Sequence, residues 1–587
     1  MTAPTDGEAR LLTDDEVIRF IADGFLVRQV DELGPDFHQE LYRRAIERRP
    51  GSLLSDEVDA RMPELRAVLD GPTMRGALQS ILGRGYLRHP HTGATVDRDE
   101  PPASPPFDQG WHRDSYWGVQ RVRHHRPRWL LCMYYPTAIE LAMGPTAIAP
   151  GSQYYSLPAD GDGSARPTEP PTRHDRIDDP QRLMQGDDLP ARDRLLRAAI
   201  ESIDPAIREV PMAVEAGSVG FFHYDIYHRR MRRAAGAAGA PRVMFKFLYA
   251  SGQARTRPSW DHRNGVTPWA NGHAAVPSAL AASIWSFMLG DSEDSAPPRN
   301  AGAAAPSEPV SGTVDALLGG RTEAARMAAA YELAQAARAG STESVTGLIR
   351  ALGHGGDAAR RAAMHGLTGA GGAAVDPLVA TLADPDVDDH VACCAVHALG
   401  EAAEEPSLAI VDAVGTVMDR VAGQIAGAVR GLDGWPAGGG GHPPPSGFGR
   451  FSPNPKERQA WPPKLLHATC VQALGLMGQR AAAKPGNHDV LGAIVERCVA
   501  CLDAPEPGGG NPDYPEDSTL GRGLMSRQNA ALALRMLAPA SQAIDGRLRR
   551  AAADACRRAL TDADRFVPGY CRDALAAWQT GSAPASD

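Results

Sequence analysis

A histidine and an aspartate stand two positions apart, at His112 and Asp114, in the aromatic stretch GWHRDSYWG. On an extended strand, residues two apart point to the same face, so both side chains could reach one metal ion. A His-x-Asp pair is common by chance, and a second histidine has to come from elsewhere in the chain. The later stretch GSVGFFHYDIYHRRMRR offers two candidates, His223 and His228.

Such a ligand set predicts iron chemistry. Two imidazoles and one carboxylate on one side of an octahedral ion leave three positions open, the arrangement associated with non-haem Fe(II) oxygenases. A cosubstrate can chelate at two of these positions, and O2 can bind at the third. The far carboxylate of the cosubstrate needs a holder, and arginine suits it because its planar fork donates two parallel hydrogen bonds. Arg242, 14 residues beyond His228, opens a strand-like run that could return beside it.

Short strand-like runs surround these residues. WLLCMYYPTAI (129–139), GSVGFFHYDI (217–226) and RVMFKFLYA (242–250) are rich in aromatic residues and bounded by Pro or Gly. Short strands separated by loops favour a β-sandwich or a barrel. Near the start of the chain, LTDDEVIRFIADGF predicts a helix, with Thr13 and Glu16 as a capping box.

The order of these motifs resembles that of the phytanoyl-CoA dioxygenase family of iron- and 2-oxoglutarate-dependent oxygenases. The matching pieces are LTDDEVIRFIADGFLV, WHRDS, MGPTAIAPGSQ, GSVGFFHYDIYHRRMRR and the strand that opens at Arg242. The resemblance implies a double-stranded β-helix, a relative of the jelly roll and cupin folds, with flanking helices. It selects His228 over His223, so that His112, Asp114 and His228 are the expected iron ligands.

The cofactors implied by the resemblance are Fe(II), 2-oxoglutarate and O2. Arg242 matches the position that holds 2-oxoglutarate, and Trp129 matches a position that packs against it. The implied reaction releases succinate and CO2 and hydroxylates an unactivated C–H bond of a small-molecule substrate. Because Asp114 is retained, the resemblance predicts hydroxylation rather than the chemistry of the family's iron halogenases, which lack this carboxylate.

Three positions depart from the family's pattern. Met143 stands where the family usually has Asn, and Gln153 replaces a frequent His. Arg230 stands where a small hydroxyl residue is frequent near the cosubstrate. Basic residues also crowd the run RVRHHRPR, which is interpreted either as solvated loops or as part of a site for an anionic substrate.

The C-terminal half of the chain repeats itself. Alanine-rich helical segments centred on Leu333, Leu367 and Leu399 follow in steps of 34 and 32 residues, which resembles HEAT-like repeats. Such an α-solenoid could bind a protein partner or mediate self-association. The predicted divisions are a disordered tail (1–10), the catalytic domain (11–292), a linker (293–314) and the solenoid (315–580), with Gly/Pro-rich insertions near 433–463 and 503–522.

The composition of the chain narrows the classes of function and the cellular locations that are expected. A formal net charge of -10 does not favour binding to nucleic acid or to an anionic membrane surface. No run approaches the ~20 apolar residues of a membrane span, and the N-terminus lacks the features of a secretory signal. Eight cysteines in so long a chain do not form a disulfide framework, which predicts a reducing cytoplasm. The Cys498-x-x-Cys501 pair is interpreted as buried helix core.

Two functions from different classes remain, and the sequence also leaves open a third, hydroxylation of a polypeptide that the repeats recruit. The first is a hydroxylase with the repeats as an accessory, and the second is a non-enzymatic scaffold whose oxygenase domain is degenerate. The presence together of His112, Asp114, His228 and Arg242 favours the enzyme, because a scaffold needs none of them.

Overall fold

The described residues of the computed structural model divide into two compact units, one made of the residues up to 290 and one made of the residues from 310 on. The described residues are 7–97, 111, 113, 124–155, 194–234 (without 195, 196, 199, 202 and 205), 241–263, 276–290, 310–353, 356–429, 455–504 and 525–580 (without 563 and 565).

The first unit combines helices with strands. Its helices are α1 (Asp14–Asp23), α2 (Pro35–Arg48), α3 (Ser55–Arg61), α4 (Leu65–Leu69), α5 (Pro72–Leu82) and α6 (Ser278–Leu289). Its strands are β1 (Phe25–Gln29), β2 (Ser52–Leu54), β3 (Tyr86–Asp97), β4 (Trp129–Tyr135), β5 (Thr146–Ile148), β6 (Val210–Pro211), β7 (Ser218–His223), β8 (His228–Arg230) and β9 (Arg242–Ser251). The three strand-like runs of the sequence are strands β4, β7 and β9.

The strands form two sheets. The larger sheet has the order β1-β7-β4-β9-β3-β2, and the smaller sheet has the order β6-β5-β8. The paired strands in both described sheets are antiparallel. The chain crosses from the larger to the smaller sheet after β4 and again after β7, so β5 and β8 become neighbours.

The larger sheet has one face on helix α2 and one face toward the smaller sheet. On the helix side, the Tyr134 and Phe245 rings stack with centroids 6.2 Å apart, and the Tyr134 hydroxyl lies 2.7 Å from His38 Nδ1. On the other side, the Tyr135 hydroxyl lies beside Thr146 of β5. This second face, which we call the inter-sheet face, carries the alternate residues of β4, β7 and β9.

Helix α1 begins with the expected capping box. The Thr13 hydroxyl accepts from the Glu16 N–H, and the Glu16 carboxylate accepts from the Thr13 N–H at 2.9 Å. Gly24 ends the helix at φ 77°, a left-handed conformation that glycine adopts without steric cost.

Asp14, the first residue of α1, connects the helix to a distant loop. Its carboxylate accepts from Trp260 Nε1 at 2.6 Å and from the Arg263 N–H at 2.9 Å, and it lies 2.7 Å from His262 Nδ1. Burial alone would raise the pKa of Asp14, but the hydrogen bonds from His262, Trp260 and Arg263 outweigh it and lower the pKa. The charged carboxylate therefore stabilises the fold.

We expect Asp14→Asn to lower the free energy of unfolding by about 1–3 kcal/mol at pH 7, because the amide presents hydrogens to these donors. A carboxyl group whose pKa is lower in the folded than in the unfolded protein stabilises the fold fully at pH values above its unfolded pKa of about 3.9. This stabilisation is lost as the pH falls through the folded pKa. Urea unfolding followed by tryptophan fluorescence should show the difference shrinking below about pH 4. The matched control is Asp15→Asn on the exposed side of the same turn; a pH-independent loss in Asp14→Asn would contradict the prediction.

Described parts of the structure extend into three of the predicted segments. In the predicted tail, the Arg10 N–H donates to the Pro72 carbonyl at 3.0 Å; residues 1–6 lie outside the described part. Within the predicted linker, α7 begins at Val310 and buries Val314 and Leu317. Likewise, a helix that starts at Pro455 occupies the end of the first predicted insertion.

Every regular element in the described part of the second unit is helical. The helices are α7 (Val310–Gly319), α8 (Glu323–Arg338), α9 (Thr342–Gly353), α10 (Asp357–Ala370), α11 (Val375–Ala383), α12 (Asp389–Ala402), α13 (Leu408–Val429), α14 (Pro455–Ala483), α15 (His488–Asp503), α16 (Met525–Leu537), α17 (Gly546–Arg558) and α18 (Val567–Thr580). Short 3-10 turns follow α10, α16 and α17.

Alternate helices of this unit pack on one another. Helices α8, α10, α12, α14, α16 and α18 form one row, and α9, α11, α13, α15 and α17 form a second row. Within the first row, a Cβ at Gly400 of α12 would lie 2.7 Å from the Ala473 Cβ of α14, so only glycine permits this approach. His365 and His397 occupy corresponding places in α10 and α12, and their ring centroids are 6.3 Å apart.

The cysteines are packing residues. All eight are buried free thiols, including Cys498 and Cys501 of α15, as the sequence indicated for that pair. Among the helices that the structure describes, none combines the length and the apolarity that a bilayer span requires.

Candidate active site

The expected iron ligands are only partly within the described residues. His112 and Asp114 lie outside them, whereas His228 and the neighbours Trp111 and Arg113 lie within. In the described part of the chain, no group of three or more His, Cys, Asp or Glu side chains is arranged to hold a metal ion. The geometry of the site therefore depends on His228, on Arg242 and on the residues that flank position 112.

His228 is the first residue of β8 and pairs with Ile148 of β5. Its side chain is buried, and Nδ1 lies 3.1 Å from the Ile226 carbonyl oxygen. Donation from Nδ1–H to this carbonyl fixes the tautomer and puts the imidazole lone pair on Nε2. Metal-binding histidines usually donate their other ring N–H in this way, so His228 fits the role of a ligand.

The ring nitrogens of His223 have different hydrogen-bond partners from those of His228. Its Nδ1 accepts the Asp225 N–H at 3.2 Å, and its Nε2 lies 3.3 Å from the His125 carbonyl oxygen. Burial, opposed by Asp225 and the His125 carbonyl, lowers the pKa of His223 to about 4, so the ring is neutral at pH 7. With Nδ1 accepting and Nε2 donating, the ring has no lone pair left for a metal. Of the two histidines that the sequence offered, the structure favours His228.

The segment around position 112 lies beside the segment around His228. The guanidinium carbon of Arg229 is 5.4 Å from the centroid of a Trp111 ring. The guanidinium carbon of Arg113 is 4.0 Å from the centroid of the Tyr227 ring. Both Trp111 and Arg113 are fully buried. The residues either side of 112 thus contact the residues either side of 228, in opposite chain order.

Arg242, the first residue of β9, reaches the smaller sheet. Its side chain is buried, and Nη1 donates to the Gly144 carbonyl in the turn before β5. Burial raises the pKa of the neighbouring Tyr135, against opposing effects of Thr146 and of the Arg242 charge. Gly144 precedes Ile148, the partner of His228, by four residues, or ~13 Å of extended chain. The guanidinium therefore lies between the sheets at one end of the candidate site.

Trp129 lies at the other end of the strands. It pairs with Ala250, which is eight residues from Arg242 along β9, or ~27 Å of extended chain. Its ring contacts those of His89 and Tyr224, with centroids 5.8 and 5.9 Å away. The structure therefore does not bring Trp129 and Arg242 together, and a five-carbon diacid does not reach from one to the other.

The loop after β5 contributes a residue that the sequence did not single out. The Ser152 hydroxyl accepts the Tyr227 N–H at 3.0 Å, which holds the chain just before His228. The neighbouring Gln153 donates from Nε2 to the Ile21 carbonyl at 3.1 Å, so it packs the loop against α1. The matching piece MGPTAIAPGSQ includes Ser152, but its contact with Tyr227, the residue before β8, could be found only from the fold.

The basic run RVRHHRPR precedes β4, and its described residues, 124–128, are buried. The Arg126 and Arg128 guanidinium carbons lie 4.8 and 4.7 Å from the centroid of the Phe287 ring, and that of Arg255 lies 5.5 Å from it. Arg255 also donates to the Ile81 carbonyl at the end of α5. Burial, and secondarily Arg128, lowers the pKa of Arg255 to about 9. For Arg126 and Arg128, the solvated-loop interpretation is wrong; they pack on α6.

Residues 36–230, about a third of the chain, match the family model described as phytanoyl-CoA dioxygenase (PhyH). Among solved structures, EctD from S. alaskensis with 2-oxoglutarate and 5-hydroxyectoine is 15% identical (TM-score 0.29), over 47% of this chain and 91% of EctD. HygX from Streptomyces hygroscopicus with iron bound is 13% identical (TM-score 0.27), over 45% of this chain and 95% of HygX. The carbocyclase SnoK from nogalamycin biosynthesis is 17% identical (TM-score 0.28), over 43% of this chain and 90% of SnoK. Comparison with curated proteins gave no match.

Proposed function

We propose a hydroxylase function for this chain, on the premise that residues 36–230 form a phytanoyl-CoA dioxygenase domain and thus an Fe(II)- and 2-oxoglutarate-dependent oxygenase. In this proposal, His112, Asp114 and His228 hold the Fe(II), and Arg242 holds the far carboxylate of 2-oxoglutarate. The substrate is a small molecule with an unactivated C–H bond.

The contacts on either side of positions 112 and 228 carry this proposal. Successive side chains of an extended segment alternate between two faces. Trp111 and Arg113 meet Arg229 and Tyr227 on one face, which supports a shared opposite face for positions 112 and 228. The Nδ1–H of His228, held by the Ile226 carbonyl, supports Nε2 as the atom that faces the iron.

The residues of the chain itself would position the cosubstrate and keep water away from the site. Iron with 2-oxoglutarate and O2 would supply the oxidising power for C–H hydroxylation. Arg242 would orient the cosubstrate through two parallel charge-assisted hydrogen bonds. Leu131, Met133 and Phe222, all buried, lie on the inter-sheet face and exclude water from the space beside it.

Anaerobic addition of Fe(II) and 2-oxoglutarate tests the proposal. A weak charge-transfer band at ~500 nm, which the family resemblance implies for this ligand set, should appear, and succinate should form when O2 is admitted. His112→Ala should lose both signals. His365→Ala, which removes a buried histidine of the second unit, is the matched control and should keep both. Folded wild-type protein without the band would favour the scaffold alternative.

For the fold, we propose a double-stranded β-helix in the first unit and a HEAT-like α-solenoid in the second. The antiparallel pairing and the crossings after β4 and β7 support the first assignment. The two rows of alternating helices support the second. A solenoid would bind a protein partner or a second copy of the chain, and light scattering of the purified protein distinguishes self-association from a monomer. The eight buried thiols agree with the reducing cytoplasm that we propose as its location.

A further inference from the structure

The guanidinium group of Arg113 is buried, and no acidic side chain of the described residues pairs with it. The residue is 1% exposed. Within the described part of the chain, its Nε and Nη2 are buried and have no hydrogen-bond acceptor. These two donors form the edge of the fork that commonly pairs with a carboxylate. A buried charge without such a partner costs free energy, which makes arginine an expensive choice for packing alone.

Arg229, the other arginine in the contacts between the two segments, has the usual arrangement. Its Nε and Nη2 donate to the two carboxylate oxygens of Glu209 at 3.1 and 2.8 Å. Both arginines lie over an aromatic ring, Arg229 over Trp111 and Arg113 over Tyr227. The charge of Arg229 is neutralised by Glu209, whereas the charge of Arg113 acts on its surroundings.

The position of Arg113 puts this charge beside the candidate site. The residue stands between two of the three proposed iron ligands, and consecutive Cα atoms are about 3.8 Å apart. Its guanidinium carbon lies 4.0 Å from the ring centroid of Tyr227, the residue before His228. Burial chiefly lowers the pKa of His223, and the charge of Arg113 acts in the same direction. The charge is therefore felt by a neighbouring imidazole.

The net charge of the proposed site changes sign when the cosubstrate binds. Fe(II) with the Asp114 carboxylate and two neutral imidazoles would carry one net positive charge. 2-Oxoglutarate is a dianion, so its binding would leave one net negative charge. A nearby buried cation therefore disfavours the first state and favours the second.

We propose that the charge of Arg113 weakens the binding of Fe(II) alone and strengthens the binding of 2-oxoglutarate to the Fe(II) form. This inference rests on the proposed function and adds an electrostatic role for a residue that is neither a metal ligand nor the holder of the cosubstrate. Arg113 lies against Tyr227 and acts through its charge, so it is a positioning residue and not a catalytic one.

Arg113→Met in the full-length protein tests the inference, because methionine fills apolar space without a charge. Equilibrium dialysis with Fe(II) alone, under anaerobic conditions, should show an affinity that is higher by roughly 3–10-fold. Titration of the Fe(II) form with 2-oxoglutarate, followed by the ~500 nm band, should show an affinity that is lower by a similar factor. Arg113→Gln, a second neutral variant, should show the same opposite changes.

Two further measurements separate the charge of Arg113 from its packing. The metal-free Arg113→Met protein should melt at or above the temperature of wild type, because an unpaired buried charge has been removed. Tyr227→Leu is the matched variant, since it removes the ring and keeps the charge. We expect it to melt lower and to change the two affinities in the same direction.

A fall in both affinities of Arg113→Met, together with a lower melting temperature, would make Arg113 a packing residue and overturn the inference. Opposite changes in Tyr227→Leu would also overturn it, because they would not come from the charge. A wild-type protein without the Fe(II)–2-oxoglutarate band contradicts the proposed function. A wild-type protein with the band, but without opposite changes in either neutral variant, contradicts only the role of Arg113.

Discussion

Replacing His228 with alanine is expected to abolish both the ~500 nm band with Fe(II) and 2-oxoglutarate and the formation of succinate. The variant removes a proposed ligand whose ring is already fixed by the Ile226 carbonyl. Loss of a partner that only orients a ligand costs about 10–100-fold in metal affinity, so loss of the ligand itself should exceed about 100-fold. Titration with Fe(II) under anaerobic conditions measures the affinity directly.

His223→Gln is the matched comparison for this prediction. Both histidines are buried in the same stretch of chain, but His223 uses its two nitrogens for the Asp225 N–H and the His125 carbonyl. We expect His223→Gln to lower the thermal stability and to leave Fe(II) affinity within a few-fold of wild type. The reverse pattern, with metal lost in His223→Gln and kept in His228→Ala, would transfer the ligand role to His223.

Replacing Arg242 with leucine should raise the KM for 2-oxoglutarate by roughly 30-fold or more, because loss of one partner from a buried charge pair costs about 2–5 kcal/mol. Fe(II) affinity without cosubstrate should change little. Arg242→Lys keeps the charge but not the fork, so we expect an intermediate KM. Steady-state succinate formation at varied 2-oxoglutarate concentration gives the KM for each variant.

The Arg242 variants need a control for folding, since the guanidinium also donates to the Gly144 carbonyl. The melting temperatures of the variants report the loss of this hydrogen bond, separately from the KM. Arg66→Leu, at a side chain that is 65% exposed, removes an arginine of the same unit outside the site and should leave the KM unchanged. If Arg242→Leu melts like wild type and keeps its KM, another residue holds the cosubstrate.

Local chemistry allowed much of the first unit to be predicted. The Thr13–Glu16 capping box and the aromatic runs of β4, β7 and β9 are short-range patterns, and each forms the element that it indicated. The boundaries were less predictable because they depend on distant partners. Nothing near Arg10 in the sequence shows that its N–H bonds to Pro72, so the first residues were interpreted as a tail.

The candidate site, too, could be predicted only as far as it depends on local residue types. Residue types identified a histidine pair to choose from, but only the contacts of His223 with Asp225 and His125 explain why that ring is not available. Trp129 was placed near the cosubstrate by its position in the motif order. The register of β4 against β9 sets its distance from Arg242, and register is fixed by long-range pairing that spacing in the chain does not reveal.

The alternating rows of helices in the second unit have a consequence for how this part of the chain tolerates change. Each helix touches mainly its near neighbours, so a defect such as a side chain at Gly400 disturbs the adjoining pair and leaves distant helices intact. Deletion or duplication of a whole helical pair would preserve most existing interfaces. A change in the number of helical pairs would therefore alter the length of this unit more than the packing within the pairs that remain.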